Sequence, residues 1–492
     1  MTIILNNLGK YQKNNTILTN RLNTLIKQPW IQKIFTYLDD KIRGNVRLII
    51  NNITVTNITN DLKPDILELL HLHLDEVKEN LKQDEILLLE KRVELLKVKK
   101  MINLVKKGIS YQKNYNGKLN KPLKYAFRRF FSIDEYGKNL CNMFYQKLQE
   151  IDLFDGNVGL LFNPYTSLIN IIEIYQQVDI QITVDYSFFW NNDLMVRNRN
   201  LLIYGNSSDK DIRSMMIDKQ DSSLLQKIID RICIYNYLGN TETLPKKITI
   251  YWIDYKKELM TVKDDKDRLF TSSEINTGVT NGIEIIITRK EECLKTILHE
   301  CCHLYDWDFK HIPKELNNWF LATFPIKTTL TDYKGDNVLN LFEAYTEWFA
   351  SIVEIIFRYY PVDGENMVLE ELNNQVIYTA NKCCQILKTS NCLSIYQFIK
   401  NKDENCVIHQ STNVFSYFVL KLFFYWRCDL LIKCLDTEGR FIKSKTNFDM
   451  LRSITEKCIK SKNLLEFINN YYINNILKNK NNNNISLKMV NG

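Results

Sequence analysis

Glu291-Glu292-Cys293-Leu294-Lys295-Thr296-Ile297-Leu298-His299-Glu300-Cys301-Cys302-His303 is the stretch around which the rest of the chain is organised. It contains His299-Glu300-x-x-His303, the spacing that places two imidazoles on one helix face, one turn apart, with Cβ atoms roughly 6 Å from each other. Two imidazoles so placed can converge on one ion, zinc being the usual guest of such a pair. Glu300 projects toward the same side, where it can hold a water molecule. Around these residues Ile297, Leu298, Cys301, Cys302, Leu304 and Tyr305 leave little that is polar outside the motif. A helix apolar all round is buried, and a buried His or Glu needs a partner.

Two imidazoles do not complete a catalytic zinc site, which takes three protein ligands and an open position. Zinc motifs that extend with a Gly and a third His are excluded, because those positions hold Asp306 and Phe309. His311 is the weaker option for the third ligand. The stronger one lies in Asn340-Leu341-Phe342-Glu343-Ala344-Tyr345-Thr346-Glu347-Trp348-Phe349-Ala350. Glu343 and Glu347 are one helical turn apart on one face, walled in by apolar and aromatic neighbours. Two buried carboxylates side by side repel unless cations offset them. A metal ion and an imidazole would do so, with Glu343 as ligand and Glu347 orienting His299 through its other ring nitrogen. Pairing with Lys or Arg from elsewhere in the chain is the alternative.

The order His299-Glu300-x-x-His303 and then Glu343-x-x-x-Glu347 resembles the gluzincin branch of the zincin metallopeptidases. More loosely, Asn276-Thr-Gly278-Val-Thr280, the Arg289-Lys-Glu-Glu292 run and Asn413-Val-Phe-Ser-Tyr417 resemble metallopeptidase-like proteins of large DNA viruses. The specific likeness covers residues 245–350, weakens to about 435, and leaves residues 1–150 without a counterpart; Glu347 stands where the family more often has Asp. The resemblance implies a zinc-dependent peptidase in which Glu300 is the general base and His299, His303 and Glu343 hold Zn2+. It implies an edge strand at Ile283–Thr288 that aligns a peptide or protein substrate. Tyr417 and His409 are the candidates for stabilising the oxyanion, each also readable as a core residue. A zincin-fold binding protein without hydrolytic activity is the alternative function.

The 492 residues are 45% hydrophobic, enough for a sizeable core. The net charge of +8 is local: residues 91–130 hold thirteen Lys/Arg against one acid, Glu94, a net +12, so the remainder is net −4. This segment reads as a solvated helical face, with docking to a polyanion such as nucleic acid as the lesser option. The twelve Cys contain no C-x-x-C pair, and no secretory signal follows Met1, so free thiols in a reducing cytoplasm (host cytosol or virion, if viral) are expected. The apolar run Tyr417 to Leu435 is interrupted by Lys421, Arg427, Asp429 and Lys433 and reads as a core helix, with no transmembrane segment.

Taken in order, the chain predicts an α+β, mostly helical protein. Residues 1–150 form a helical, basic N-terminal region, with its clearest period over Ile66–Val105; His71 and His73, two apart, face different sides of that helix. Residues 151–312 form an α/β subdomain, a small mixed sheet carrying the motif helix. It has a helix at Pro164–Gln177, short strands at Asp179–Val184 and Leu201–Tyr204, and a strand at Lys247–Ile253. Residues 313–468 form a helical lobe with the third ligand, whose helix from Asn337 ends at Pro361. Residues 469–492, with their Asn run, read as a disordered, passive tail.

Overall fold

The computed structural model describes residues 12–57, 180–217, 223–239, 247–254, 257–260, 269–270, 275–280, 284–331, 335–400, 404–473, 484–486 and 488–490. The helices expected at Ile66–Val105 and Pro164–Gln177, the basic segment 91–130, and His71 and His73 lie outside these residues.

The chain opens with helices α1 (Gln12–Ile26) and α2 (Pro29–Arg43) and the strand β1 (Val46–Asn57). Pro29 starts α2 at a position where its missing N–H is no loss, and Gly44, at φ 82°, ends it in the left-handed region. β2 (Ile180–Trp190) and β3 (Asp193–Gly205) make a hairpin whose two loop residues, Asn191 and Asn192, both have positive φ (49° and 71°). Those angles match the twist of the flanking strands, and asparagine tolerates them. Both strands are longer than their sequence pattern predicts. Helix α3 (Ser223–Gly239) leads to β4 (Lys247–Trp252), followed by the short strands β5 (Glu258–Met260), β6 (Leu269–Phe270), β7 (Gly278–Thr280) and β8 (Glu284–Ile287). The motif helix α4 (Cys293–Leu304), β9 (Ile326–Thr328), the long helix α5 (Phe342–Thr389), β10 (Ile408–Gln410), a π-helical turn at Phe415–Leu420 running into α6 (Lys421–Trp426), and β11 (Asn484–Ser486) complete the elements used below.

The main sheet is mixed, in the order β1-β2-β3-β4-β8-β7. Its β3, β4 and β8 run parallel; β1, β2 and β7 pair antiparallel to their neighbours. The α+β class is as expected, but two placements differ. β8 (Glu-Ile-Ile-Ile) lies inside the sheet, its three isoleucines buried, so the predicted edge at Ile283–Thr288 is an interior strand. Among the described residues the edge is β7, whose residues are half-buried. In addition, residues 12–57 are no separate module. β1 extends the main sheet, Trp30 of α2 stacks on Phe349 of α5 with ring centroids 4.9 Å apart, and Phe35 stacks on Tyr360 at 4.3 Å.

Helix α4 is sandwiched between the sheet and α5, with Ile297, Leu298, Cys301 and Cys302 wholly buried. Helix α5 continues through Pro361 and breaks two residues later, where Asp363 and Gly364 leave helical angles and Gly364 reaches φ 67°. Cys392 and Cys406 are joined in a disulfide, against the expectation that all thiols are free; the nine other cysteines among the described residues are free and buried. Among the described residues no helix is long and apolar enough to cross a membrane. The tail also departs from its reading as disordered. β11 pairs antiparallel with β5, and Met489 and Val490 are buried.

A candidate metal centre on the motif helix

His299 and His303 leave α4 on the face turned toward α5, as the four-residue spacing requires, and Glu343 meets them from the first turn of α5. His299 Nε2 lies 3.1 Å from Glu343 Oε2, His303 Nε2 lies 3.3 Å from the same oxygen, and the two Nε2 atoms are 3.0 Å apart. Tetrahedral donors at the usual zinc distance of about 2.0 Å stand about 3.3 Å from one another, close to this triangle. The other ring nitrogens are engaged. His299 Nδ1 is 3.0 Å from Glu347 Oε2, and His303 Nδ1 hydrogen-bonds Asp308 Oδ2.

This wiring tests whether an ion fits. Carboxylates accept hydrogen bonds only, so each Nδ1 must carry the proton and each Nε2 presents a lone pair. Three electron-rich atoms then face one another in a buried space with no hydrogen between them. Only a cation relieves that, either an ion or an added proton. In the ion-free chain burial works against protonation of His303, but Glu343 and Asp308 prevail and push it up to about 10. Glu343 itself is held far below the ordinary carboxylate range by the two imidazoles, against the opposing effect of burial. A metal ion would displace the proton. His299, His303 and Glu343 can therefore hold a metal ion.

Glu347, 1% exposed, has more partners than the imidazole expected for it. Lys295 Nζ donates to both its oxygens, at 2.8 and 2.9 Å, and Lys421 Nζ of α6 stands 3.7 Å away. Both readings of the acid pair are thus realised. Glu343 faces the imidazoles, and Glu347 faces one imidazole and two lysines. Lys295 precedes His299 by one turn, so the same spacing rule could have found it. Asp308 follows the helix between buried Trp307 and Phe309, an apolar setting that could have flagged it. Lys421 is brought in by the tertiary fold and leaves no local signal.

Glu300 is buried and lines a small cavity together with His299, Lys295, Glu347, Tyr417 and Met489. Burial raises its pKa, an effect the two imidazoles partly offset. The edge strand comes close to it at Gly278. A Cβ there would stand 2.7 Å from Glu300 Oε1 and 2.6 Å from Thr296 Cγ2, so the position admits only glycine without rearrangement. Tyr417 donates from its hydroxyl to Glu343 Oε2 at 3.1 Å. It sits on the π-helical turn, a feature common at functional sites, pinned by Ser416 Oγ donating to the Asn340 carbonyl at 2.9 Å. Burial, and then Glu343, raise its pKa well above the ordinary tyrosine value, so the hydroxyl stays protonated.

His409 is not part of this constellation. It lies on β10, opposite Lys327 of β9 and Leu269 of β6, and is not among the residues lining the cavity. His311 is exposed beyond the end of α4 and does not join the cluster. No protein-family model, no curated protein and no solved structure matches this chain.

Proposed function

We propose that the chain is a zinc-dependent peptidase with the layout of a gluzincin. The observation that carries this reading is the convergence of His299, His303 and Glu343 within 3.3 Å, beside a buried carboxylate, Glu300, and a close-approaching edge strand. Zinc held by these three residues would polarise a scissile carbonyl and make a water molecule easier to deprotonate. Glu300 takes the proton from the attacking water as its oxygen bonds to the carbonyl carbon. It then delivers that proton to the amide nitrogen as the C–N bond breaks.

The main chain of β7 supplies the positioning. As the outermost strand of the sheet among the described residues, it can pair with an extended peptide by strand addition. Gly278 lets that peptide's register run close beside Glu300. Tyr417, protonated and adjacent to Glu343, is the donor best placed to stabilise negative charge on the carbonyl oxygen. Glu347 and Asp308 fix the tautomers of His299 and His303, and Lys295 and Lys421 keep Glu347 ionised.

The test is zinc content and peptide-library hydrolysis in wild type beside Glu300→Gln. About one zinc per chain in both, with turnover lowered by about 10²–10⁴ in the variant, is the expected result. Equal turnover in the two would exclude Glu300 as the base. Zinc without hydrolysis in either would leave a metal-holding binding protein.

A further inference from the structure

The cavity beside Glu300 is closed on one side by the chain's own late segment. Met489 is among its lining residues, with Sδ 4.0 Å from Lys295 Nζ, and is 3% exposed. The segment arrives as a β-strand and bends at Met489 and Val490. Residues Asn484–Ser486 pair antiparallel with β5, and the following residues are gripped through their main chain. Glu292 Oε1 accepts from the amides of Met489 and Val490 at 2.6 and 2.9 Å. The Met489 carbonyl accepts from Gln375 Nε2 at 2.7 Å and from Lys421 Nζ at 3.0 Å. Tyr378 donates to the Lys488 carbonyl at 3.2 Å, and Lys382 to that of Ser486.

Two features separate this from ordinary core packing. The five gripping side chains recognise amides and carbonyls, which any peptide carries; the segment's own side chains add the burial of Met489 and Val490 and an ion pair from Lys488 Nζ to Glu291 at 3.0 Å. The walls also keep partners of their own when the segment is removed in thought. Glu292 retains Lys257 Nζ at 3.1 Å, and Lys421 retains Glu347 at 3.7 Å. Two of the walls are therefore held by contacts other than those to the segment, whereas β5 has β11 as its strand partner among the described residues.

We infer that this groove is a peptide-binding site continuous with the candidate catalytic cavity. Its ligand is a peptide segment carrying an unbranched apolar side chain at the Met489 position, and the chain's own residues 484–486 and 488–490 occupy it in cis and restrict entry to the cavity. The restriction of entry rests on the hydrolytic reading; the binding site does not.

Binding is tested with a fluorescein-labelled peptide Asn-Ile-Ser-Leu-Lys-Met-Val, the sequence of residues 484–490, added to full-length Glu300→Gln protein so that it is not cut. The tethered segment competes at an effective concentration on the order of millimolar. Anisotropy should therefore show weak binding to this parent. The same protein carrying Met489→Gly and Val490→Gly should bind with an apparent Kd at least about tenfold lower. Equal or absent binding in both, with melting curves showing both folded, would overturn the proposal. Should the double variant fail to fold, amide hydrogen exchange on wild type decides. Protection of residues 484–490 should fall when isotopically labelled peptide is added to several millimolar, and unchanged protection would overturn the proposal.

Hydrolysis separates the two readings. In the Glu300 background, the double glycine variant should cleave library peptides at least about tenfold faster than wild type. Binding in trans without hydrolysis in either protein would keep the groove and remove the peptidase reading. Equal hydrolysis in both, without binding in trans, would do the reverse.

Discussion

Replacing Glu347 by Gln keeps shape and volume but removes one negative charge from a buried site that also holds Lys295, Lys421 and His299. The side chain of Glu347 is 1% exposed and that of Lys295 3%. Removing one member of a buried ion pair costs about 3–5 kcal/mol, because the other charge stays behind unpaired. The amide also cannot replace both contacts. Its oxygen can accept from either Lys295 or His299 Nδ1, and its NH2 then faces the other donor. If the oxygen serves Lys295, His299 loses the acceptor that fixes its tautomer. Loss of such a partner typically weakens metal binding about 10–100-fold, or about 1.4–2.7 kcal/mol. The pH dependence has a definite sign. Burial lowers Lys421 to about 8, with Glu347 opposing that fall, whereas the unfolded chain keeps it at 10.5. Between those values the unfolded state binds more protons, so stability rises with pH. Without Glu347 the folded value drops further, which widens the window downward. The deficit of the variant should therefore be largest near pH 7 and narrow toward pH 9.5. Guanidinium denaturation at both pH values and zinc titration against a competing chelator measure these effects. Zinc affinity within twofold of wild type, together with an unchanged denaturation midpoint at pH 7, would refute the reasoning.

Three further substitutions probe other parts of the site. Gly278→Ala puts a methyl group 2.6–2.7 Å from Thr296 and Glu300, so hydrolysis should fall at least about tenfold with zinc content unchanged; unaltered steady-state kinetics would show that the edge strand does not constrain Glu300. Asp308→Asn removes the anionic partner of His303 Nδ1 and should weaken zinc binding about 10–100-fold in a chelator competition, with His299 unaffected. Glu292 is held at about 2 by Lys257, Lys295 and the Val490 amide, against burial, compared with an ordinary 4.5. It thus contributes about 3 kcal/mol at neutral pH, an amount fully present above pH 4.5 and lost as pH falls toward 2. An acid denaturation series should show Glu292→Gln less stable at pH 7 and converging with wild type near pH 2; parallel curves would exclude this linkage.

What was legible in the sequence is what depends on local spacing. His299, Glu300 and His303 share a face because a helix repeats every 3.6 residues, and Glu343 and Glu347 follow the same rule on a second helix. That the two helices meet could be argued only from the cost of burying their polar groups, and the distances agree with it. The edge strand was misplaced for a physical reason. Its most strand-like residues, Ile285-Ile286-Ile287, are apolar on successive positions because both faces are covered, which marks an interior strand. Gly278-Val279-Thr280 is short and half-buried, and an edge looks like that. Met489 was hidden by the neighbouring asparagine run, whose composition says nothing about the residues that dock beyond it. Of the N-terminal helix α2, the aromatic residues Trp30, Phe35 and Tyr37 carry the contact with the core, and such stacking partners have no sequence signature.

The distribution of charge around the two acids of α5 explains why a metal ion could be held at one of them and not the other. At neutral pH Glu347 has Lys295 and Lys421 as cationic partners, so a metal ion there would be repelled by two ammonium groups. Glu343, one turn earlier, is met by two imidazoles and the Tyr417 hydroxyl, none of which carries a fixed positive charge. The carboxylate without a fixed countercharge is thus the one that shares its surroundings with two imidazole lone pairs. An ion supplied from solution would complete that half of the site, as the lysines complete the other. Exchanging the two environments, by moving an ammonium next to Glu343, would abolish metal binding without altering any ligand. That result is open to test by placing Lys at Tyr417 and measuring zinc per chain. Zinc retained at wild-type affinity in Tyr417→Lys would show that fixed charge does not select the site.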